Sequence, residues 1–140
     1  VVTRARDIVS EGVLQGYVLN SYAARRLGMQ TTGNAGGVRN LTIEPGDKDF
    51  QSLLNSMDTG LLVTELIGFG VNNVTGDYSR GAAGFWVEGG EIQYPVDEIT
   101  VAGNLKDMFM DIAEVGNDVD LRGNTRTGSV LIGQMTVAGA

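Results

Sequence analysis

Two adjacent glycines, Gly89 and Gly90, sit between the runs FWVE (85–88) and EIQYPV (91–96) and constrain this chain more than any other pair of residues. Both can take the positive φ angles of a two-residue turn, so the flanking runs are expected to fold back as a hairpin. Glu88 then opposes Glu91, Val87 opposes Ile92 and Phe85 opposes Tyr94, with Val96 on the same face. Trp86 and Gln93 point the other way, and that second side needs cover of its own. Pro95 lacks an N–H, which argues for an edge or a strand break at that point.

The rest of the chain alternates short strands with short helices. RARDIVS and VLQGYVL flank Glu11 and Gly12 at a spacing that suits a second hairpin within residues 3–20. Ser21 is placed to cap a helix running through Leu27, with Gly28 as its left-handed terminus, followed by a loop over 29–40. Asp47 is placed to cap a helix in which Phe50, Leu53, Leu54 and Met57 share one face before Gly60 stops it.

Residues 61–67 are nearly continuous apolar sequence, which predicts a strand buried on both faces and a buried partner or pocket for Glu65. Asn104 is expected to cap a third helix with the stripe Leu105, Met108, Phe109 and Ile112, ended by Gly116. The tail SVLIGQMTVAG reads as one strand, with Leu131, Met135 and Val137 on one face and Val130 and Ile132 on the other. This order predicts an α+β fold with a mainly antiparallel sheet, hairpins and about three short helices, in a single domain over 1–140 or in part of a larger one. The 21 glycines are spread over many turns and imply frequent chain reversal. The opening without Met, in what looks like a strand, suggests a fragment of a longer protein.

Composition removes whole classes of chemistry. The 140 residues contain no His and no Cys, so the commonest metal ligands, general bases and thiol nucleophiles are missing, and no disulfide scaffold can form. Ten basic against 17 acidic residues give a formal charge of -7, with no basic face of the kind that binds nucleic acid. No apolar run approaches the roughly 20 residues of a membrane span. A soluble, cytoplasmic protein is the expectation.

Four candidate sites remain. In GNAGG, the backbone of Gly33, Asn34, Gly36 and Gly37 could form a nest for a small anion, although no Lys or Ser/Thr follows as in a P-loop. Asp77, Tyr78, Ser79 and Arg80 form the densest polar cluster. Arg80 could clamp a peptide carboxylate or a partner's acidic group; the plainer alternative is a surface turn in which Asp77 pairs with Arg80. Ser79 and Ser129 have no His to activate them. Glu88, Glu91, Asp97 and Glu98 could hold a hard cation, but their spacing fits a solvated acidic edge better.

The run GDYSRGAAGFWVEGGEIQYPVDEITVAGNLKDMFM (76–110) resembles the PmbA/TldE branch of the TldD/TldE proteins, a bacterial zinc-peptidase family. The segments 12–37, 60–82 and 128–139 resemble it too, so the similarity covers essentially the whole chain and is specific in phrases such as TGDYSRGA, GFWVE and EIQYPV.

In that family the TldD-type subunit carries a His-Glu-x-x-x-His zinc motif, upstream of the region matched here, and a late Cys that would fall near Arg126 or Thr127. Neither element stands in this sequence. The resemblance therefore implies a subunit that binds no metal and pairs with a TldD-like paralogue, which holds the zinc and cleaves unfolded peptides. Asp77, Tyr78, Ser79 and Arg80 are the candidate contacts to peptide or partner, through a patch left exposed on this chain. The alternatives are a self-sufficient metallopeptidase with zinc ligands upstream, and a small-anion-binding module built on GNAGG.

Overall fold

The computed structural model describes residues 1–139, which form two units, Val1–Leu41 and a second beginning at Thr42. In the first unit, β1 (Val9–Ser10) pairs antiparallel with β2 (Val13–Leu14) across Glu11 and Gly12, both at positive φ. The expected hairpin is present, with ladders of two residues on each side. Helix α1 (Ser21–Arg26) is capped by Asn20, not Ser21: the Asn20 amide oxygen accepts the Ala23 N–H at 2.7 Å. Ser21 is already in the first turn, and its neighbour is the better-placed acceptor. The helix ends at Gly28 as expected, where the Met29 and Gly28 N–H groups reach back to the Ala24 and Arg25 carbonyls in a Schellman pattern.

The second unit is built on a four-stranded antiparallel sheet. Strand β3 (Leu41–Thr42) leads to helix α2 (Phe50–Met57), whose cap is Asp49, not Asp47. The Asp49 carboxylate accepts the Ser52 N–H at 2.8 Å, and its hydrogen bonds with Ser52 hold its pKa below the ordinary value. Leu53 and Leu54 are buried, so the expected apolar face is the packed one. The helix stops at Asp58, which takes φ 58°, and Gly60 opens the next strand instead of ending the helix.

Strands β4 (Gly60–Ile67), β5 (Asp77–Glu88) and β6 (Glu91–Asn104) form a meander, and β10 (Thr136–Ala138) adds on the far side of β6. Gly89 and Gly90 make the turn at positive φ, with Glu88 opposite Glu91 and Val87 opposite Ile92. Beyond that the register slips by one residue, so Trp86 faces Tyr94 and Phe85 faces Pro95, not Tyr94. Gln93 is the extra residue of a bulge, and its amide donates to the Glu88 and Glu91 carbonyls. A second bulge sets Asp97 and Glu98 against Ala83. The Asp97 carboxylate accepts the Glu98 N–H there, and Glu98 takes φ 53°. Since β10 pairs only with residues 100–102 of β6, Pro95 lies on an open stretch of edge where no N–H is required.

The expectation for β4 is overturned. Residues 63–67 are exposed, since β4 is the outermost strand and among the described residues no layer covers its faces there, and Glu65 stands in solvent. A continuous apolar run signalled a surface that seeks cover, and these residues supply none on that side. The packed cluster lies further in, around Ala82, Ile99 and Val101 with Leu61, Tyr78, Val96 and Met135 against it.

Helix α3 (Leu105–Met110) is capped by Asn104 as expected, but it is six residues long and buries none of them. Ile112 belongs to β7 (Ile112–Val115), not to the helical stripe, and the Gly116 N–H donates to Ser129 inside the following ladder. After β8 (Thr125–Arg126), the tail does not run as one strand. It forms β9 (Val130–Ile132), paired with β7, and then β10 in the main sheet. Asp111 makes the break: its carbonyl accepts the Gly133 N–H and its carboxylate the Gln134 N–H. The observed architecture is the α+β fold, mainly antiparallel, that the element order implied. Among the described residues no helix is long and apolar enough to cross a membrane.

Candidate functional site

The polar cluster 77–80 opens β5 instead of forming a turn, and strand alternation separates its members. Asp77 and Ser79 are exposed on one face, while Tyr78 and Arg80 are half-buried on the other. Asp77 and Arg80 therefore do not pair. The Asp77 carboxylate accepts the Thr75 hydroxyl at 2.7 Å, and Arg80 donates through Nη2 to the Leu66 carbonyl at 3.2 Å. Among the described residues the buried Nε of Arg80 has no hydrogen-bond partner, and no carboxylate lies within ion-pair distance of this guanidinium.

The loop between β4 and β5 is held from several sides. The Asn72 amide oxygen accepts the N–H groups of Val74 and Thr75, and the Asn72 carbonyl accepts that of Gly76. Ser79 N–H donates to the Gly70 carbonyl at 2.7 Å, an approach so close that a Cβ on Gly70 would stand 1.5 Å from the Ser79 carbonyl oxygen. Asn104, besides capping α3, donates its side-chain amide to Thr75, and Leu105 N–H donates to Gly76. The loop and α3 are thus fastened side by side at one end of the sheet. A shallow recess of about 350 Å³ opens between Phe69, Val71, Asn72, Tyr78 and Ser79. Another of about 330 Å³ lies beside α3 between Asp107, Met108, Asp111 and Met135.

Ser129 is not set up as a nucleophile. The Ser129 hydroxyl donates to Asp118 at 2.6 Å, and its N–H donates to the same carboxylate at 2.9 Å. Burial pushes the Asp118 pKa up, but the two bonds from Ser129 outweigh it and the net shift is downward. A carboxylate stabilised in this way is a weak base, so the pair works as a clip between residues 118 and 129. Arg122 holds Asp120 down to about 2 in an exposed pair. At the hairpin, Glu88 accepts the Trp86 indole N–H at 2.8 Å. Among the described residues no group of three or more His, Cys, Asp or Glu is placed to hold a metal ion.

In GNAGG, Gly33 and Gly37 do take positive φ. Their N–H groups are engaged within the loop, Gly33 by the Thr31 hydroxyl and Gly37 by the Asn34 carbonyl, and the Asn34 side chain donates to the Gly37 carbonyl.

These features define an α+β module of antiparallel strands whose polar cluster is dispersed over two strand faces. Residues 1–139 match the model of the PmbA/TldA metallopeptidase C-terminal domain, and the chain belongs to that family. It is 57% identical over 139 residues to the metalloprotease PmbA of Escherichia coli O157:H7, covering 99% of this chain and 31% of the relative. The PmbA homologue of Haemophilus influenzae is 52% identical, with the same coverage. Among solved structures, a candidate modulator of a DNA gyrase from Thermotoga maritima aligns with TM-score 0.89 at 41% identity, over 99% of this chain and 34% of that one. TldE from Thermococcus kodakarensis aligns with TM-score 0.78 at 24% identity, over 98% of this chain and 34% of that one, a likeness of fold alone. The chain spans about a third of the length of these relatives.

Sequence reasoning missed the apolar residues displayed at the loop and at α3. Phe69 and Val74 lie in GFGVNNVTG, where glycines and asparagines obscure any period, and Phe109 was assigned to a buried stripe. The one legible signal was two bulky apolar residues inside a segment otherwise composed for turns.

Proposed function

We propose that this chain is the C-terminal segment of the metal-free subunit of a cytoplasmic TldD/TldE-type zinc peptidase complex. Its role there is to complete and shape an assembly whose zinc is held by a TldD-like paralogue and whose substrates are unfolded peptides. The roles attached to such complexes by resemblance are maturation of a peptide antibiotic, turnover of an antitoxin and modulation of DNA gyrase.

The observation that carries this reading is the donor set. With neither His nor Cys in the sequence and no acidic cluster of ligand geometry among the described residues, these residues do not fit zinc. At the position where the resemblance would place a late Cys, the Arg126 carbonyl accepts the Ile43 N–H and the Thr127 hydroxyl donates to the Gly128 carbonyl. Both groups serve the backbone, and neither is a thiolate. TldD-type relatives of the same family, at 23–24% identity, support a partner of related fold.

The test is the zinc content of the full-length protein, purified without its paralogue and without added metal. No zinc, with peptidase activity appearing only on mixing with the TldD-like chain, is the expected result. Stoichiometric zinc together with activity in the isolated protein would overturn the reading in favour of a self-sufficient enzyme.

A further inference from the structure

Arg80 is a cation without a counter-charge on the packed face of the main sheet. It stands opposite Val101 on β6 and two residues from Tyr78 and Ala82 on β5, and the strand register adds Leu66, Ile99 and Val137 to the same face. Arg80 is the one charged member of this set. The acidic residues nearest along the strands are sent the other way: Glu65 opposes Ala83, and Asp77 lies three residues from Arg80, so both leave from the opposite face. The guanidinium is half-buried, donates through Nη2 to the Leu66 carbonyl, and keeps a buried Nε–H that has no partner among the described residues. Withdrawing a cation from water without an anion or full hydrogen bonding is unfavourable, and these residues supply Arg80 with neither. In a chain with 17 acidic residues against 10 basic ones, the reason is not a shortage of carboxylates.

We infer that Arg80 binds a carboxylate supplied from outside residues 1–139. The unpaired Nε–H and an adjacent Nη–H lie in the guanidinium plane at the spacing of two carboxylate oxygens, a bidentate arrangement that a lysine cannot make. One guanidinium among apolar neighbours can neutralise a single negative charge, whereas a phosphate would keep part of its charge uncompensated there. Two sources carry the carboxylate group. One is an Asp or Glu side chain in the remainder of the full-length protein; the other is the terminal carboxylate of a bound peptide, which rests on the peptidase reading above.

The experiment compares the full-length protein with Arg80→Met, which removes the charge, and with Arg80→Lys, which keeps the charge and loses the fork. Tm is followed from neutral pH down through the carboxylate range, and Kd is measured by titration calorimetry for a peptide free of Asp and Glu, with its C-terminus either free or amidated. If the carboxylate comes from the protein itself, Arg80→Met is expected to lower Tm by several degrees at neutral pH. That loss shrinks as acid protonates the carboxylate, and the two peptides behave alike. If it comes from a peptide, Tm without peptide is expected to be no lower in Arg80→Met, and wild type binds the free-acid peptide with a Kd at least tenfold below that of the amide. Arg80→Met abolishes that preference and Arg80→Lys reduces it; should Arg80→Met fail to fold, the same two readouts on Arg80→Lys decide. A Tm loss that is equal at every pH, with no preference between the peptides, would make Arg80 a packing residue and overturn the inference. Wild-type behaviour of both variants in both readouts would overturn it as well.

Discussion

The two ends of the main sheet are built from the same three strands and finished in opposite ways. At the hairpin end, α2 lies against the turn: Gly90 N–H donates to the Asp58 carbonyl, and the Gln51 side chain donates to the Gly90 carbonyl. Val87 beneath it is fully buried. Outside stand Glu88 and Glu91, facing each other across the turn, with Ile92 and Tyr94 about half exposed beside them. At the other end, a six-residue helix buries nothing and the neighbouring loop holds Phe69 outward. The difference teaches that rigidity and burial are separate properties. The apolar end is hydrogen-bonded as thoroughly as the hairpin end, yet its large side chains have no core to enter.

The largest expected effect sharpens that contrast in the backbone. Gly70→Ala forces a methyl group into the Ser79 carbonyl and is expected to cost about 3–5 kcal/mol in urea denaturation. Gly89→Ala meets open space at φ 60° and is expected to cost about 1 kcal/mol. Equal costs would mean that the loop yields as readily as the turn, and the apolar end would no longer count as rigid.

Next in size is the contrast in side chains. Val87→Ala is expected to cost about 2 kcal/mol through loss of buried methyl groups, and Phe69→Ala to leave the unfolding midpoint within about 0.5 kcal/mol of wild type. A marked loss of stability in Phe69→Ala would show that Phe69 is packed in solution and that the two ends are finished alike.

The smallest effect concerns the clip between Asp118 and Ser129. Its folded pKa lies below the ordinary 3.8, so its stabilisation is fully present above that value and is lost as pH falls through the lower folded pKa. Wild type is expected to lose up to about 1 kcal/mol relative to Asp118→Asn across that acid window, a modest amount because the carboxylate is largely exposed. Parallel pH–stability curves for the two proteins would show that the hydrogen bonds to Ser129 contribute nothing in solution.

Much of the fold was legible because its signals are local. The Gly89–Gly90 turn, the apolar face of α2 and the Asn104 cap each depend on residues within a few positions of one another. The caps of α1 and α2 shifted by one or two residues because several good acceptors stand together there, and only backbone geometry decides between Asn20 and Ser21 or between Asp49 and Asp47. The pairing of Asp77 with Arg80 in a surface turn was not the outcome. Adjacency in sequence suggested a pair, while strand alternation sends Asp77 and Arg80 to opposite faces.

Composition and turn chemistry alone determined an antiparallel α+β chain with neither His nor Cys, since residue types and short-range spacing suffice for both conclusions. Tertiary structure decided that β4 is an edge, that the tail divides between two sheets at Asp111, and that Phe69 and Phe109 stand in solvent. The physical reason is that an apolar residue reports only that burial would be favourable. Whether a neighbour is there to bury it depends on residues far along the chain, or on another chain altogether.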